Sequence, residues 1–341
     1  MTSASISVLS IFKNEATNFE EWINHYLIDQ QVDRIILIDN GSTDDWKPIV
    51  DNHKKKERIT LLTDTRKHCQ HIIYKDVFES GLIDTEWLLV CDLDEFAYAR
   101  SGFTSLGQYL SQVDKETSFV MLPWKNFGSS GYIKQPSSIR KSFTRRAPVP
   151  FPEPQPGVCR GKYICRVRHT SRIDVHHAES KNGDCRYKLS SGRDITEFKS
   201  QIYRGMTPYS EQDLKECNIH LNHYASQSLQ YFKEIKSTRG DVFHRRMDVK
   251  QMSYFEKFDR NDVSDRELAD MVTMDNFLTN LNKGFHKNLK KIKQKKSIFQ
   301  WHKKFIKRIR QRFGLSKYQI LWITFGKGLV IGYVLAFLIH R

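Results

Sequence analysis

Apolar and polar positions alternate along the first hundred residues in a way that predicts a parallel α/β sheet. Short apolar runs are typical of buried strands, and apolar residues spaced by three and four are typical of helices. The predicted strands lie at 6–12, 34–40, 59–64 and 86–92, and the predicted helices at 19–31, 44–56 and 66–80. Strands that alternate with helices favour right-handed crossovers in one sheet. Ligands bind at the carboxyl ends of the strands in such sheets.

The pattern changes after about residue 100. The predicted strands of this part lie at 119–124, 163–169 and 217–225, and the predicted helices at 228–236 and 248–282. A Pro-rich stretch, "APVPFPEPQPG" at 147–157, separates the first two of these strands. We therefore expect a second half that mixes strands with helices.

Three carboxylates follow the fourth predicted strand, in the stretch "VCDLDEF". Asp92 and Asp94 stand one residue apart, and Glu95 comes next. Two aspartates in this position can bind Mg²⁺ or Mn²⁺, which usually take one or two carboxylates together with substrate phosphates. Such a cation would neutralise a diphosphate leaving group. Solvated acids in a turn are the alternative, and the place of these acids at the ligand edge of the sheet favours the metal.

A second polar group follows the second predicted strand, in "IDNGSTDD" at 38–45. A carboxylate at Asp39 can accept a hydrogen bond from a nucleobase N–H or a ribose hydroxyl. The same letters also form ordinary polar turns. Both interpretations stay open on spacing alone.

The formal net charge of +16 is concentrated near the C-terminus. Residues 283–312 hold 13 Lys or Arg and no Asp or Glu, and residues 313–341 add three more basic residues. Residues 1–282 are therefore close to neutral.

The six cysteines form no C-x-x-C pair, and no signal peptide is recognised, so free thiols in a reducing compartment are expected.

The C-terminal segment predicts membrane association. Aromatic and aliphatic residues alternate with Lys and Arg at 297–315, as in a basic amphipathic helix at an anionic membrane surface. Residues 318–339 are long enough to span a bilayer and carry one charge, Lys327. A tail anchor, a helical hairpin in one leaflet and a partner-binding helix are all compatible with this segment. The basic block would keep the preceding body in the cytoplasm.

Five motifs that occur in a fixed order resemble a known family. They are "SIFKNEATNFEEWINHYL", "ILIDNGSTDD", "CDLDEF", "WKNFGSSGY" and "HYASQSLQYFKEIKSTRG". Across roughly 5–245 the chain resembles the glycosyltransferases of family 92 and their bacterial relatives, which are related to family 2. The resemblance implies a GT-A fold: a Rossmann-like, mostly parallel sheet with flanking helices. It also implies a nucleotide-sugar donor, usually a UDP-sugar, with Mn²⁺ or Mg²⁺ on the Asp-x-Asp motif and inversion at the anomeric carbon.

The resemblance also implies a set of site residues. It assigns the metal to Asp92, Asp94 and a later histidine, for which His176 is the first choice and His177 and His223 are alternatives. The positions that match the nucleotide-sugar site are Lys13, Asn14, Glu15, Asp39, Asn40, Ser42, Trp124, Gly128, Ser129, Lys236 and Arg239.

Inversion requires a base for the acceptor hydroxyl, and a carboxylate is expected in that role. Glu95 is favoured because it is fixed beside the metal, although it could instead only support its neighbours. Asp174 is the second choice, and Glu153 and Glu179 are further candidates.

These expectations combine into one functional hypothesis. The chain would hold a GT-A domain at 1–245, divided into a nucleotide-binding half (1–118) and an acceptor half (119–245). The remaining parts would be a helical extension at 246–282, a basic amphipathic segment at 283–316 and a candidate membrane anchor at 317–341.

The enzyme would be a hexosyltransferase that acts on a glycan or lipid-linked acceptor. Animal members of the family begin with a membrane-spanning segment that this sequence does not show, so the cytoplasmic side of a bacterial inner membrane is expected. Surface polysaccharide or lipopolysaccharide synthesis would suit that place.

Two alternative functions are considered. One is a metal-dependent phosphohydrolase or nucleotidyltransferase on a similar sheet. The other is a nucleic-acid-binding protein that uses the basic block, although no nucleic-acid partner is expected.

Overall fold

The computed structural model describes residues 3–151, 157–181, 183, 185–239, 250–273 and 303–339. The chain divides into two compact units, Met1–Val272 and Thr273–Arg341. The boundary lies inside the predicted helical extension at 246–282, and the first unit contains all of the predicted site residues.

The first half of the sheet is parallel, as the sequence predicts. Its strands are β1 (Ile6–Phe12), β2 (Arg34–Asp39), β3 (Ile59–Thr63) and β4 (Trp87–Val90), in the order β3-β2-β1-β4. The connections hold α1 (Ala16–Asn24, continued by a π-helical turn His25–Asp29), α2 (Lys47–Asp51) and α3 (Gln70–Glu79). The four predicted strands are confirmed, and the helix predicted at 44–56 is shorter: it begins at Lys47, with Pro48 in its first turn, and Asn52 caps its end.

The second half adds antiparallel strands and makes the sheet mixed, with five parallel and four antiparallel ladders among its described strands. Its main strands are β5 (Glu95–Ala99), β6 (Thr117–Asn126), β8 (Val158–Arg166) and β13 (Ile219–His223). They extend the sheet in the order β4-β8-β6-β13-β5. The strand β8 runs antiparallel to both β4 and β6, and β5 runs antiparallel to β13. Strand β5 begins directly at Glu95, where the sequence analysis predicts no strand.

Shorter elements surround these strands. They are α4 (Leu106–Leu110), α5 (Ile139–Ser142), β7 (Arg145–Arg146), β9 (Thr170–Ile173), β10 (Ala178–Ser180), β11 (Arg186–Leu189), α6 (Lys199–Ile202), β12 (Met206–Pro208), α7 (Glu211–Glu216), α8 (Leu229–Glu234), α9 (Met252–Phe258) and β14 (Val263–Ser264). Strand β11 pairs with β6, and β12 pairs with β8. The predicted helix at 228–236 corresponds to α8.

The central strands are buried on both faces, which explains their nearly continuous apolar sequences. Successive residues of β1 belong to different hydrophobic clusters, since Val8 packs with Trp22 and Trp87 on one face and Leu9 packs with Tyr74 and Tyr163 on the other. Both clusters continue into the second half of the sheet. The two halves therefore form one folded body.

The segment predicted as one helix at 248–282 is divided, within its described part, into α9, β14 and a final helix from 267. Asp265 lies between the last two, and its carboxylate accepts a hydrogen bond from Arg146 at 2.8 Å. It also lies 2.9 Å from the buried ammonium of Lys125. An ammonium buried in β6 requires an acidic partner, so this segment is drawn onto the sheet.

The second unit contains a helix at 303–312 and a C-terminal helix, Lys317–Ile339. Because the C-terminal helix is continuous, the helical hairpin that the sequence allowed for 318–339 is not formed. Among the residues that the structure describes, no helix is long and apolar enough to cross a membrane. The basic residues at 283–302 lie outside the described residues.

A buried histidine joins the first helical connection to β5. The Nε2 of His25 donates to the carbonyl of Ala97 at 2.8 Å, and its Nδ1 accepts from the guanidinium of Arg140 at 3.0 Å. Asp29 lies 4.0 Å from the same Nδ1 but is paired with Arg140. Burial, and then the positive charge of Arg140, hold the pKa of His25 well below its usual value.

This arrangement predicts a loss of stability in acid. Because the unfolded state takes up a proton near pH 6.5 and the folded state does not, stability falls as the pH drops below 6.5. Acidification from pH 7 to pH 5 should therefore lower the free energy of unfolding by about 2 kcal/mol more in the wild type than in His25→Gln. Urea unfolding at the two pH values measures this difference, and parallel losses in both proteins would show that His25 is protonated in the fold.

Candidate active site

A cleft of about 770 Å³ opens at the carboxyl ends of the parallel strands. The first turn after β1, the acids after β4 and the region after α8 all contribute to its walls. Nine residues predicted from the sequence line it: Lys13, Glu15, Asn40, Asp92, Asp94, Trp124, His176, Lys236 and Arg239. The mixed sheet therefore brings residues from both halves of the chain to one place.

Asp94 is buried in the cleft wall, with 4% of its surface exposed. One oxygen, Oδ2, pairs with the ammonium of Lys236, and the other, Oδ1, lies 3.9 Å from Nε2 of His223. Burial alone would raise the pKa of Asp94, but the positive charge of Lys236 outweighs it and the pKa is lowered. Asp94 is therefore an anion at neutral pH.

Asp92 is held by a lysine that the sequence analysis did not single out. The ammonium of Lys162 on β8 is fully buried and lies 2.8 Å from Oδ2 of Asp92, while Gln70 donates to Oδ1 at 3.2 Å. Burial favours protonation of Asp92, but Lys162 outweighs it and lowers the pKa. Lys162 is one of three basic residues in β8, so the sequence alone gave no signal that set it apart.

Glu95 lies behind the cleft wall and has no exposed surface. Its Oε1 accepts from the indole of Trp124 at 2.6 Å, and its Oε2 accepts from the backbone N–H of Asp92 at 2.8 Å. Burial, aided by the negative charges of Asp92 and Asp94 and opposed by Lys162, raises the pKa of Glu95 to about 8. Since Glu95 does not line the cleft, the structure disfavours it as the base and favours the second interpretation, a supporting neighbour.

Two histidines line the cleft on either side of Trp124. The ring of His223 stacks on Trp124 with a centroid distance of 4.2 Å, and the ring of His176 meets it edge-on at 5.4 Å. Both present Nε2 as a lone pair, because Nδ1 of His223 donates to Asn126 Oδ1 at 2.9 Å and Nδ1 of His176 donates to the Gly161 carbonyl at 3.0 Å. Burial lowers the pKa of His223 to about 4 and that of His176 to about 3.

The register of the strands explains why His223 is close to Asp94. His223 is paired with Glu95 across β13 and β5 and with Asn126 across β13 and β6. The backbone N–H of Tyr224 also donates to the Asp94 carbonyl at 2.8 Å. The structure thus places His223, rather than the first choice His176, within 4 Å of an Asp-x-Asp carboxylate.

Glu15 and Arg239 form a second ion pair on the cleft wall. Arg239 contacts the Glu15 carboxylate and donates to the Asn14 carbonyl at 2.9 Å, and Tyr231 donates to Glu15 at 2.6 Å. The turn after β1 is thereby joined to the region after α8. Lys236 and Arg239 lie three residues apart and contact two different acids of the cleft.

Five of the positions predicted for the nucleotide-sugar site do not line the cleft. Asp39, Asn14 and Ser42 build the turns beside it: Asp39 accepts from the N–H of Ser42 at 2.8 Å, and Ser42 accepts from the N–H of Asn14 at 3.0 Å. Gly128 packs so closely against the backbone of Arg260 that a side chain would collide with it. The N–H of Ser129 donates to Asp259 at 2.6 Å.

Asp174, the second candidate for the base, also lies off the cleft. Its carboxylate accepts from the next backbone N–H, that of Val175, at 2.5 Å, and its carbonyl accepts from Tyr163 at 2.6 Å. The residue therefore shapes the loop that carries His176. Of the two favoured base candidates, neither reaches the cleft.

Several residues that line the cleft carried no signal in the sequence. They are contributed by loops, by β8 and by α9, and include Arg66, Lys67, Arg160, Tyr254, Lys257 and Phe258. Across the described part of the chain, no group of three or more His, Cys, Asp and Glu side chains is arranged to hold a metal ion. A cation here would have two protein ligands at most and would depend on substrate oxygens for the others.

Solved structures give only distant likenesses. A mannosyltransferase from Pyrobaculum calidifontis in complex with GDP-Man and Mn²⁺ is 17% identical, with a TM-score of 0.30 and 36% of each chain covered. TarS from S. aureus in complex with UDP-GlcNAc is 16% identical, with a TM-score of 0.32, and the match covers 48% of this chain and 45% of that one. The matches thus span less than half of either structure. Such low scores do not establish a shared fold.

No curated protein matches the sequence significantly. By contrast, the sequence pattern of one family, Glycosyltransferase family 92, matches residues 3–309. This range covers nearly the whole chain and includes the cleft together with every predicted site residue. The protein therefore belongs to glycosyltransferase family 92 and is a glycosyltransferase.

Proposed function

We propose that the cleft binds a nucleotide-sugar, most simply a UDP-sugar, and transfers its sugar with inversion to a glycan or lipid-linked acceptor. Family membership supports glycosyl transfer over the phosphohydrolase, nucleotidyltransferase and nucleic-acid-binding alternatives. The cleft supports a donor with a diphosphate, because acids and cations from both halves of the chain meet at the ligand edge of the sheet. A GT-A type of fold is part of the same proposal.

The observation that carries the proposal is the pair formed by Asp94 and His223. An ionised carboxylate oxygen and a neutral imidazole nitrogen, both with lone pairs, lie 3.9 Å apart on the cleft wall. Two ligands of one octahedral cation, each about 2.0–2.2 Å from it, lie about 3 Å apart when they are adjacent and about 4 Å apart when they are opposite, so both atoms can reach one cation. The residues present thus fit Mn²⁺ or Mg²⁺, with Asp94 and His223 as ligands and Asp92 beside them.

The neighbours of this pair are suited to hold it. Asn126 fixes the tautomer of His223, as hydrogen-bonded partners of metal-binding histidines do. When bound, the cation would supply positive charge to the diphosphate leaving group. Lys236 contacts Asp94 and lines the same wall, so its ammonium can bind phosphate oxygens next to the cation. Arg239, three residues further on, extends this positive surface toward Lys13.

We also propose attachment to the cytoplasmic side of a bacterial inner membrane. The C-terminal helix Lys317–Ile339 exposes aromatic and aliphatic side chains, among them Leu321, Trp322, Phe325 and Leu329. Exposed apolar side chains together with a basic segment suit an anionic membrane surface. Surface polysaccharide or lipopolysaccharide synthesis, which uses lipid-linked acceptors, agrees with this location.

The cation assignment is tested by Asp94→Asn, which keeps the shape of the side chain and removes its charge. Transfer should fall by about 10²–10³-fold, because several kcal/mol of charge stabilisation in the transition state is lost. Stabilisation of the protein by UDP with Mn²⁺ in thermal unfolding should disappear as well. Asp174→Asn, off the cleft, is the matched control and should keep both properties. Full transfer by Asp94→Asn would contradict the assignment.

The supporting role of Glu95 is tested by Glu95→Gln. A glutamine keeps an oxygen for one of the two N–H donors, so transfer should stay within about tenfold of the wild type, whereas loss of a general base costs about 10²–10⁴-fold. The free energy of unfolding should fall by about 1–3 kcal/mol, since one buried donor loses its acceptor. Kinetics and urea unfolding of the same preparation measure both effects. A stable but inactive variant would restore Glu95 as the base.

Membrane attachment is tested with Trp322→Glu in the full-length protein. Loss of one buried aromatic side chain costs about 1.5–3 kcal/mol, so binding to vesicles of anionic lipid should weaken by roughly tenfold or more. Flotation of protein with vesicles measures the bound fraction. Gln319→Glu, which adds the same charge to the same helix, is the control and should bind normally. Equal binding by both variants would argue against this helix as the attachment.

A further inference from the structure

The cleft carries more positive charge than its donor needs. Of the described side chains that line it, eight are Lys or Arg and three are Asp or Glu, an excess of five positive charges in a body that is close to neutral. A nucleotide-sugar has one negative charge on each of its two phosphates, and a bound divalent cation would add two positive charges. The charges of the donor and of the cation therefore cancel, and the excess of five positive charges in the cleft remains. The eight basic residues are Lys13, Arg66, Lys67, Arg160, Lys236, Arg239, Lys250 and Lys257.

Arg160 stands out among these residues by its surroundings. Arg66, Lys236 and Arg239 are each paired with acids. Arg160 is exposed on the cleft wall, and within the described parts of the chain no carboxylate or hydrogen-bond acceptor contacts its guanidinium. A cation on a concave wall without an internal partner is a candidate for binding an anionic ligand.

In the sheet, Arg160 lies on one side of the acids and the turn after β1 lies on the other. Lys13 follows β1, and the acids follow β4, which lies between β1 and β8. Val90 pairs with Tyr163 in the antiparallel β4–β8 ladder, so Arg160 extends past the carboxyl end of β4. Arg160 and Lys162 are two residues apart on one strand and project from the same face. Since Lys162 contacts Asp92, Arg160 lies next along that face, toward the cleft.

The backbone that carries Arg160 is firmly held. Gly161 packs against the backbone of Leu122 so tightly that any side chain would collide with it, and its carbonyl accepts from His176. Met206 on β12 pairs with Arg160 in an antiparallel ladder. A guanidinium on a rigid strand is well suited to bidentate binding of a phosphate or carboxylate. Phe258 and Tyr254 on α9 line the same cleft and offer ring surfaces to a sugar.

We propose that the acceptor is an anionic glycan, a sugar that bears a phosphate or a carboxylate, and that Arg160 binds this group across the acids from the nucleoside. This inference deepens the proposed function and rests on it. Lys257 on α9 also lines the cleft and carries a further positive charge.

The test uses the full-length protein saturated with UDP and Mn²⁺. Thermal unfolding is followed with a matched panel of neutral hexoses, the corresponding uronates, the corresponding 6-phosphates and inorganic phosphate, all at one ionic strength. The uronates or the 6-phosphates should raise the midpoint, and the neutral hexoses should not. Whichever of the two groups acts more strongly identifies the anion.

Arg160→Gln should weaken binding of the effective anionic sugar by about 10–100-fold, the loss expected for charge-assisted hydrogen bonds of about 1.5–3 kcal/mol. Arg160→Lys should retain part of it. Arg186→Gln is the matched control, because Arg186 is also exposed on a strand of the sheet but does not line the cleft. The response to UDP with Mn²⁺ should be the same in the control and the wild type.

Each contrary result has a distinct meaning. If UDP and GDP with Mn²⁺ both fail to stabilise the wild type, the proposed function is contradicted. If a nucleotide stabilises it but neutral and anionic sugars act alike, or Arg160→Gln binds the anionic sugars normally, this inference alone is overturned. Equal stabilisation by inorganic phosphate and by the sugar phosphates would also overturn it, since the site would then recognise an anion and not a glycan.

Discussion

Two lysine ammonium groups hold the acids that follow β4, and much of the second half of the chain is arranged around them. Lys162 reaches Asp92 from β8, and Lys236 reaches Asp94 from the region after α8. Removing one partner from a buried ion pair costs about 3–5 kcal/mol, because the other charge is left without compensation. The antiparallel strand β8 beside β4 and the return of the chain from α8 to the cleft supply these two charges.

The same pairs bring the two halves of the protein together at one edge of the sheet. The first half supplies Asp92, Asp94 and Glu15, and the second half supplies Lys162, Lys236 and Arg239. Trp124 occupies the centre, since its indole donates to Glu95 below and its ring stacks on His223. A rigid aromatic between a buried acid and a histidine limits the motion of both, so the geometry of the proposed cation site is fixed before a substrate binds.

The sequence was sufficient to predict the parallel half of the fold, because strands such as β1 and β4 are continuous apolar runs with polar residues at their ends. It was less informative for the second half. In β5 the acids merge directly into the strand, so Glu95 resembled a loop residue, and the direction of β8 depends on partners far away in the chain.

Motif matches identified nine cleft residues, but they could not separate side chains that face the cleft from those that build its turns. Asp39 and Ser42 share a motif and hydrogen-bond each other beside the cleft. Lys162 and Arg160 have no motif, and only the pairing of β8 with β4 reveals their place.

The distribution of charge connects the fold to the choice of substrate. Acids and cations that neutralise each other, such as Asp92 with Lys162, define the shape of the cleft and leave little net field. Cations without such partners determine which ligand is favoured, because only an anionic ligand can neutralise their charge. Arg160 belongs to this second class, and it shares a strand face with Lys162 of the first. Strand β8 therefore carries two basic residues with different roles. Lys162 is buried and keeps Asp92 in place, whereas Arg160, two residues earlier and exposed, is left to bind the acceptor.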